Sequence, residues 1–115
     1  VLIAGFLSAC SRPDEKLGER IKADLNAMVP KDCSLRKCVD ACKVSAGALS
    51  LTVECRVPPS DGIDVKKYLT NKCAAMKEVG LDDAELNLTS PENGDMHKWT
   101  AEELQAGNCS FKQVY

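Results

Sequence analysis

The sequence predicts a two-layer α+β domain, with two helices packed on an antiparallel sheet in the order helix, hairpin, helix, hairpin. Three observations predict it. Two stretches, at about 12–29 and 61–79, space their apolar residues at the helical period. Segments that alternate apolar with polar residues follow each of them, as half-buried strands do. Cysteines recur from residue 33 to residue 109, so the domain is expected to be stapled by disulfides. At 115 residues the chain holds one modest core and no second one.

The first helix is expected to open near Ser11-Arg12-Pro13, with Asp14 three residues after Ser11 at capping-box spacing. Leu17, Ile21, Leu25 and Met28 share one face, and Pro30 stops the helix. Residues 31–37 read as a basic, cysteine-containing loop. Leu49, Leu51, Val53, Cys55 and Val57 then alternate with Ser50, Thr52, Glu54 and Arg56, the clearest strand in the chain, which Pro58-Pro59 ends. Residues 38–45 are expected to pair with it. A two-residue turn at Ala46-Gly47 places Cys38 opposite Cys55, within reach of a cross-strand bridge. A three-residue turn instead breaks that pairing and turns Val39 and Ala41 inward.

Ser60 or Asp61 is expected to cap the second helix, whose stripe is Val65, Tyr68, Leu69, Cys73, Met76 and Val79, with Gly80 as its stop. Cys73 on that stripe is expected to bridge to a strand or to the C-terminal segment around Cys109. Ala84, Leu86 and Leu88 alternate as a third strand. Pro91-Glu92-Asn93-Gly94-Asp95 reads as a hairpin turn into a fourth strand at about 96–99. Thr100 with Glu103 suggests a short helix near 101–106, ended by Gly107. Ser110–Tyr115 reads as one more strand, with Phe111, Gln113 and Tyr115 on one face.

Residues 1–9 carry no charge, and among them only Gly5 and Ser8 are not clearly apolar. The run is too short to span a bilayer, which takes about 20 apolar residues. It has the character of the end of a signal peptide. With no initiator Met and no basic stretch ahead of it, the chain is expected to begin inside that signal. Leu7-Ser8-Ala9-Cys10 resembles the lipobox of bacterial lipoproteins: an aliphatic residue, two small residues, then the cysteine whose thiolate takes the lipid. The resemblance covers about ten residues and none of the domain behind them. It implies cleavage before Cys10, diacylglycerol on its sulfur and further acylation, palmitate-type chains included, on its new N-terminus. Residues 1–9 are then a signal remnant and 10–115 a single mature, lipid-anchored domain. Ser11, where an Asp would favour retention at the inner membrane, implies sorting to the outer membrane, facing the periplasm.

The chain has seven cysteines. With Cys10 set aside, Cys33, Cys38, Cys42, Cys55, Cys73 and Cys109 remain, an even set that allows three bridges in any of 15 connectivities. Lipidation accounts for the odd one, and an oxidising envelope compartment suits the rest. A metal site is the alternative use. The spacing C-x4-C-x3-C at Cys33, Cys38 and Cys42 lacks the tight C-x2-C pair common in structural zinc sites and redox dithiols.

Lys and Arg number 15 against 17 Asp and Glu, a net charge of −2, so the basic excess of a nucleic-acid binder is missing. Aromatic residues are 4%, too few for a stacking surface. Phosphate-binding loops, nucleotide fingerprints and hydrolase elbows are absent, and no cofactor is implied. His97, the one imidazole, reads as a surface residue beside Trp99. Asp82-Asp83 precedes a strand. Glu102-Glu103, Asp61 and Asp64 fit the first turns of helices, where the dipole favours negative charge. Glu92–Asp95 lacks the ligand spacing of an EF-hand loop. Lys31, Arg36, Lys37 and Lys43 form a basic cluster read as a solvated loop, with anionic lipid or cell-wall polymer as the alternative contact. Asn87-Leu88-Thr89 and Asn108-Cys109-Ser110 match a glycosylation sequon, relevant only in a eukaryotic secretory route.

The functional expectation is a non-catalytic binding or scaffolding lipoprotein, held to the membrane by lipid, with other envelope proteins as candidate partners. A freely secreted cysteine-rich binding or inhibitor module is the first alternative. A small carboxylate-based enzyme and a thiol-bound metal protein follow.

Overall fold

In a computed structural model of the chain, the described residues are 12–33, 36–47 and 49–91, with the backbone alone of 105–106 and 109–113. The elements are α1 (Pro13–Met28), β1 (Cys42–Gly47), β2 (Ser50–Arg56), α2 (Pro59–Asn71), α3 (Cys73–Glu78), β3 (Asp83–Thr89), β4 (Gln105–Ala106) and β5 (Cys109–Gln113). The domain is α+β and carries disulfides.

The sheet is mixed, with strand order β1-β2-β3-β5-β4. This corrects the antiparallel expectation. β1 pairs antiparallel with β2, but β2 with β3 and β3 with β5 are parallel. The cause lies between the strands. A chain that leaves β2 and returns through α2 and α3 to the neighbouring position must start β3 in the same direction as β2. Gln105–Ala106 belongs to a strand, where a helix end was expected. The expected tail strand is present in the backbone as β5. The hairpin turn at 92–95 and the strand at 96–99 lie outside the described residues.

α1 begins one turn-position later than capping by Ser11 implies. Arg12 is its N-cap without a side-chain bond, and Pro13 opens it, since a proline gives up only an amide that the first turn leaves unused. Gly18, Ile21 and Leu25 are buried, but Met28 is exposed, and Val29, just past the helix end, takes the expected inward position. Val29 is extended because Pro30 follows it. The second helix is interrupted at Lys72. There the amide donates to Leu69 O at 3.0 Å in a tighter turn, next to a Thr70 hydroxyl that bonds back to Lys66 O at 2.9 Å. α3 ends in a Schellman motif. Gly80, at φ 83°, donates to Lys77 O, and Leu81 donates to Met76 O while both side chains of that pair are fully buried.

The β1–β2 register corrects the expected turn. Gly47 pairs with Ser50 and Cys42 with Cys55, so β1 runs on through Ala46-Gly47 and the turn includes Leu49. Leu49 is therefore not a strand residue: it sits at φ 68° with its side chain exposed. Its carbonyl accepts from the amides of Asp82 (3.0 Å) and Asp83 (3.4 Å), which ties the turn to the start of β3.

Leu51, Val53 and Cys55 on β2 align with Ala84, Leu86 and Leu88 on β3, and all six are buried. They form one core with Ile21 and Leu25 of α1, Val65 and Leu69 of α2 and Met76 of α3. Each such large side chain contributes about 1.5–3 kcal/mol. The intervening positions Ser50, Thr52, Glu54, Arg56, Asp83, Glu85, Asn87 and Thr89 are exposed or half-buried.

Candidate functional site

Where α1 ends, residues 29–42 lead the chain into β1 through a small clasped loop. Asp32 and Val39 exchange both backbone hydrogen bonds at 2.9 Å, an isolated antiparallel bridge. Inside that bridge Cys33 and Cys38 form a disulfide, closing a loop with a sequence separation of 5. The Asp32 carboxylate is buried and meets Arg56 Nε at 3.1 Å, which fastens the loop to β2. Cys42 and Cys55 form the second bridge across β1 and β2, both nearly fully buried. Cys38–Cys55, the expected pair, is therefore replaced by these two. The register that would have joined them rests on a turn two positions earlier than the real one.

Cys73 is also disulfide-bonded, and its partner lies outside the described side chains. Cys10 lies outside the described residues, and of Cys109 only the backbone, at the start of β5, is described. His97, Glu92–Asp95 and Glu102-Glu103 lie outside them too.

Beside the clasped loop is a cleft of ≈ 350 Å³ on the polar side of the sheet. Lys43, Glu54 and Asn87 cross it in one register row, and Arg56 and Thr89 in the next. Asp32, Val39 and Asp40 form the wall towards the loop. The Asn87 Oδ1 is buried and accepts no hydrogen bond from the described residues. Such a cleft can hold a small polar group by hydrogen bonds and paired charges. A second depression, ≈ 500 Å³, runs between α1 and β1 along Glu15, Lys16, Glu19 and Val44–Ala46.

The four expected basic residues, Lys31, Arg36, Lys37 and Lys43, are exposed around this same end. The exposed apolar side chains of Met28 and Val39 lie there as well. Asp61 lies in the first turn of α2, and the amides of Asp82 and Asp83 serve the Leu49 turn. Among the described residues no group of three or more His, Cys, Asp or Glu could hold a metal ion, and no helix is long and apolar enough to cross a membrane.

Three polar arrangements had no signal in the sequence. Asn26 Nδ2 donates to the Cys42 carbonyl at 3.0 Å and its Oδ1 accepts from the Cys42 amide at 2.9 Å. The Tyr68 hydroxyl donates to the Asp24 carboxylate, joining α2 to α1. Burial, and then that bond, push the Tyr68 phenol above its ordinary value. The third is Asp32 with Arg56. In each case the partners are far apart in the chain, so no local spacing reports them. Comparison of the chain with protein-family models, with curated proteins and with solved structures finds no match.

Proposed function

We propose that the chain is a cell-envelope lipoprotein acylated at Cys10, whose small disulfide-stapled domain has a non-catalytic binding or scaffolding role at the periplasmic side of the outer membrane. In this reading the helices form one layer and the sheet the other, leaving the polar sheet face free. The observation that carries it is the uncharged apolar run ending in Leu7-Ser8-Ala9-Cys10, followed almost at once by a helix that starts at Pro13. Two acyl chains or more hold a protein stably at a bilayer where one does not.

The geometry of α1 supports a binding role away from the lipid. Sixteen residues of helix are about 24 Å long. The anchor precedes one end of α1, and the clasped loop, the basic cluster and the polar cleft follow the other. With α1 upright, that distance is about three times the Debye length of about 8 Å at physiological salt. The basic residues then face soluble or envelope partners in preference to the lipid surface that holds Cys10.

Radiolabelled palmitate incorporation in a bacterial host, with detergent-phase partition of the wild-type chain and Cys10→Ser, tests the reading. Label and detergent partition that both vanish in Cys10→Ser support it. A Cys10→Ser chain that stays in the detergent phase refutes it.

A further inference from the structure

The clasped loop differs from the other described bridge in ways that bear on reactivity. Cys33 and Cys38 are both exposed, whereas Cys42 and Cys55 are at 1% and 2% exposure. Thiol–disulfide exchange needs a thiolate to reach a sulfur, so accessible bridges react and buried ones wait for the fold to open. Arg36 and Lys37 lie within the loop, and Lys31 just before it, all exposed. Cations beside a cysteine stabilise its thiolate, the form in which it leaves when the bridge is cut.

Opening this bridge is expected to leave the fold in place. Neither cysteine belongs to the core. The Asp32–Val39 backbone bonds hold the loop's two ends together, and the Asp32–Arg56 ion pair fastens it to β2, without the sulfurs. The thiols of the reduced loop therefore remain neighbours, at the high effective concentration that favours reclosure.

We propose that Cys33–Cys38 is an exchangeable disulfide, a site of thiol–disulfide exchange with a dithiol partner, while Cys42–Cys55 is structural. One partner thiolate attacks a loop sulfur, the Cys33–Cys38 bond breaks, and the other cysteine leaves as a thiolate and takes up a proton. The partner's second thiol then attacks the mixed disulfide, releasing the first cysteine. Two electrons and two protons pass to the loop, and the partner departs as a disulfide. This goes beyond the lipoprotein reading and does not depend on what Cys10 carries.

The test exposes the purified native chain to dilute dithiothreitol, quenches it with iodoacetamide at intervals and maps the alkylated peptides by mass spectrometry. Cys33 and Cys38 are expected to be alkylated at least about tenfold faster than Cys42 and Cys55. Near-UV circular dichroism should be retained, and glutathione disulfide should reclose the loop. The Arg36→Ala/Lys37→Ala chain should react several-fold more slowly at neutral pH. Equal rates at the two bridges, loss of the near-UV signal as the loop opens, a loop that does not reclose, or an unchanged rate in the double variant would each overturn the proposal.

Discussion

The carboxamide of Asn26 occupies both backbone hydrogen-bonding groups of Cys42, at 3.0 and 2.9 Å. β1 is an edge strand, and Arg56 donates to the carbonyl of Ala41, so the amide and carbonyl of Cys42 point away from β2. Asn26 supplies what a neighbouring strand would have supplied. The same side chain also donates to Lys22 O within α1 at 3.0 Å, and its bonds to Cys42 fix α1 to the edge of the sheet.

Asn26→Ala leaves two part-buried backbone groups without partners. It should lower unfolding stability by about 2 kcal/mol, read as a lower urea midpoint with an unchanged slope.

Gly18 lies where α1 packs tightly on β1, and a Cβ built on it would lie 2.9 Å from the Cβ of Ala46. Gly18→Ala should therefore destabilise by about 1–3 kcal/mol, despite the better helix propensity of alanine. Adding Ala46→Gly removes the opposing atom. The double variant should be more stable than the sum of the two single changes, a coupling that a double-mutant cycle measures.

The two described bridges should also differ in their effect on stability. Cys33 and Cys38 are separated by 5 residues and Cys42 and Cys55 by 13. From unfolded-chain entropy alone, replacing the first pair by serine costs about 2 kcal/mol and the second about 3. Two hydroxyls in the core add to the second figure. Thermal melts of the two double-serine chains should show the larger drop for Cys42→Ser/Cys55→Ser.

Tyr68 makes a prediction in alkaline solution. Its folded-state ionisation lies above the ordinary value of 10.0, chiefly through burial and then through its bond to Asp24. The folded chain thus holds a proton that the unfolded chain releases. The contribution is complete below pH of about 10 and is lost as the pH rises from there through the folded-state value. Urea midpoints between pH 9 and 11 should fall less in Tyr68→Phe than in the wild type.

Much of the core was legible because burial obeys periodicity. Ile21, Leu25, Leu51, Val53, Val65, Leu69, Met76, Ala84, Leu86 and Leu88 all fall on the expected faces. Gly80 stops its helix as expected because its φ of 83° suits a residue without a Cβ. Strand direction was not legible in the same way. Alternation at 84–88 says that a strand is half-buried, and nothing in it says which neighbour it joins or in which sense. The helical crossover between β2 and β3 carried that information. The hairpin turn was misplaced because Ala46-Gly47 is the better local turn signal, yet Leu49 takes the positive φ. Its side chain is exposed there, and its carbonyl gains the amides of Asp82 and Asp83. The moved turn changed the disulfide pairing with it. The site itself was half visible. The cysteines and the basic cluster were named from the sequence, whereas the cleft depends on Asp32, Arg56 and Asn87, which only the folded chain brings together.

The decisive measurement is the mass of the N-terminal and cysteine-containing peptides of the mature protein, isolated from bacterial membranes without reduction. If Cys10 carries lipid, the N-terminal peptide begins at that residue and is heavier by its acyl chains. With four cysteines already paired, Cys109 is then left to join Cys73. A peptide that retains residues 1–9, or a disulfide between Cys10 and Cys73, would contradict the account.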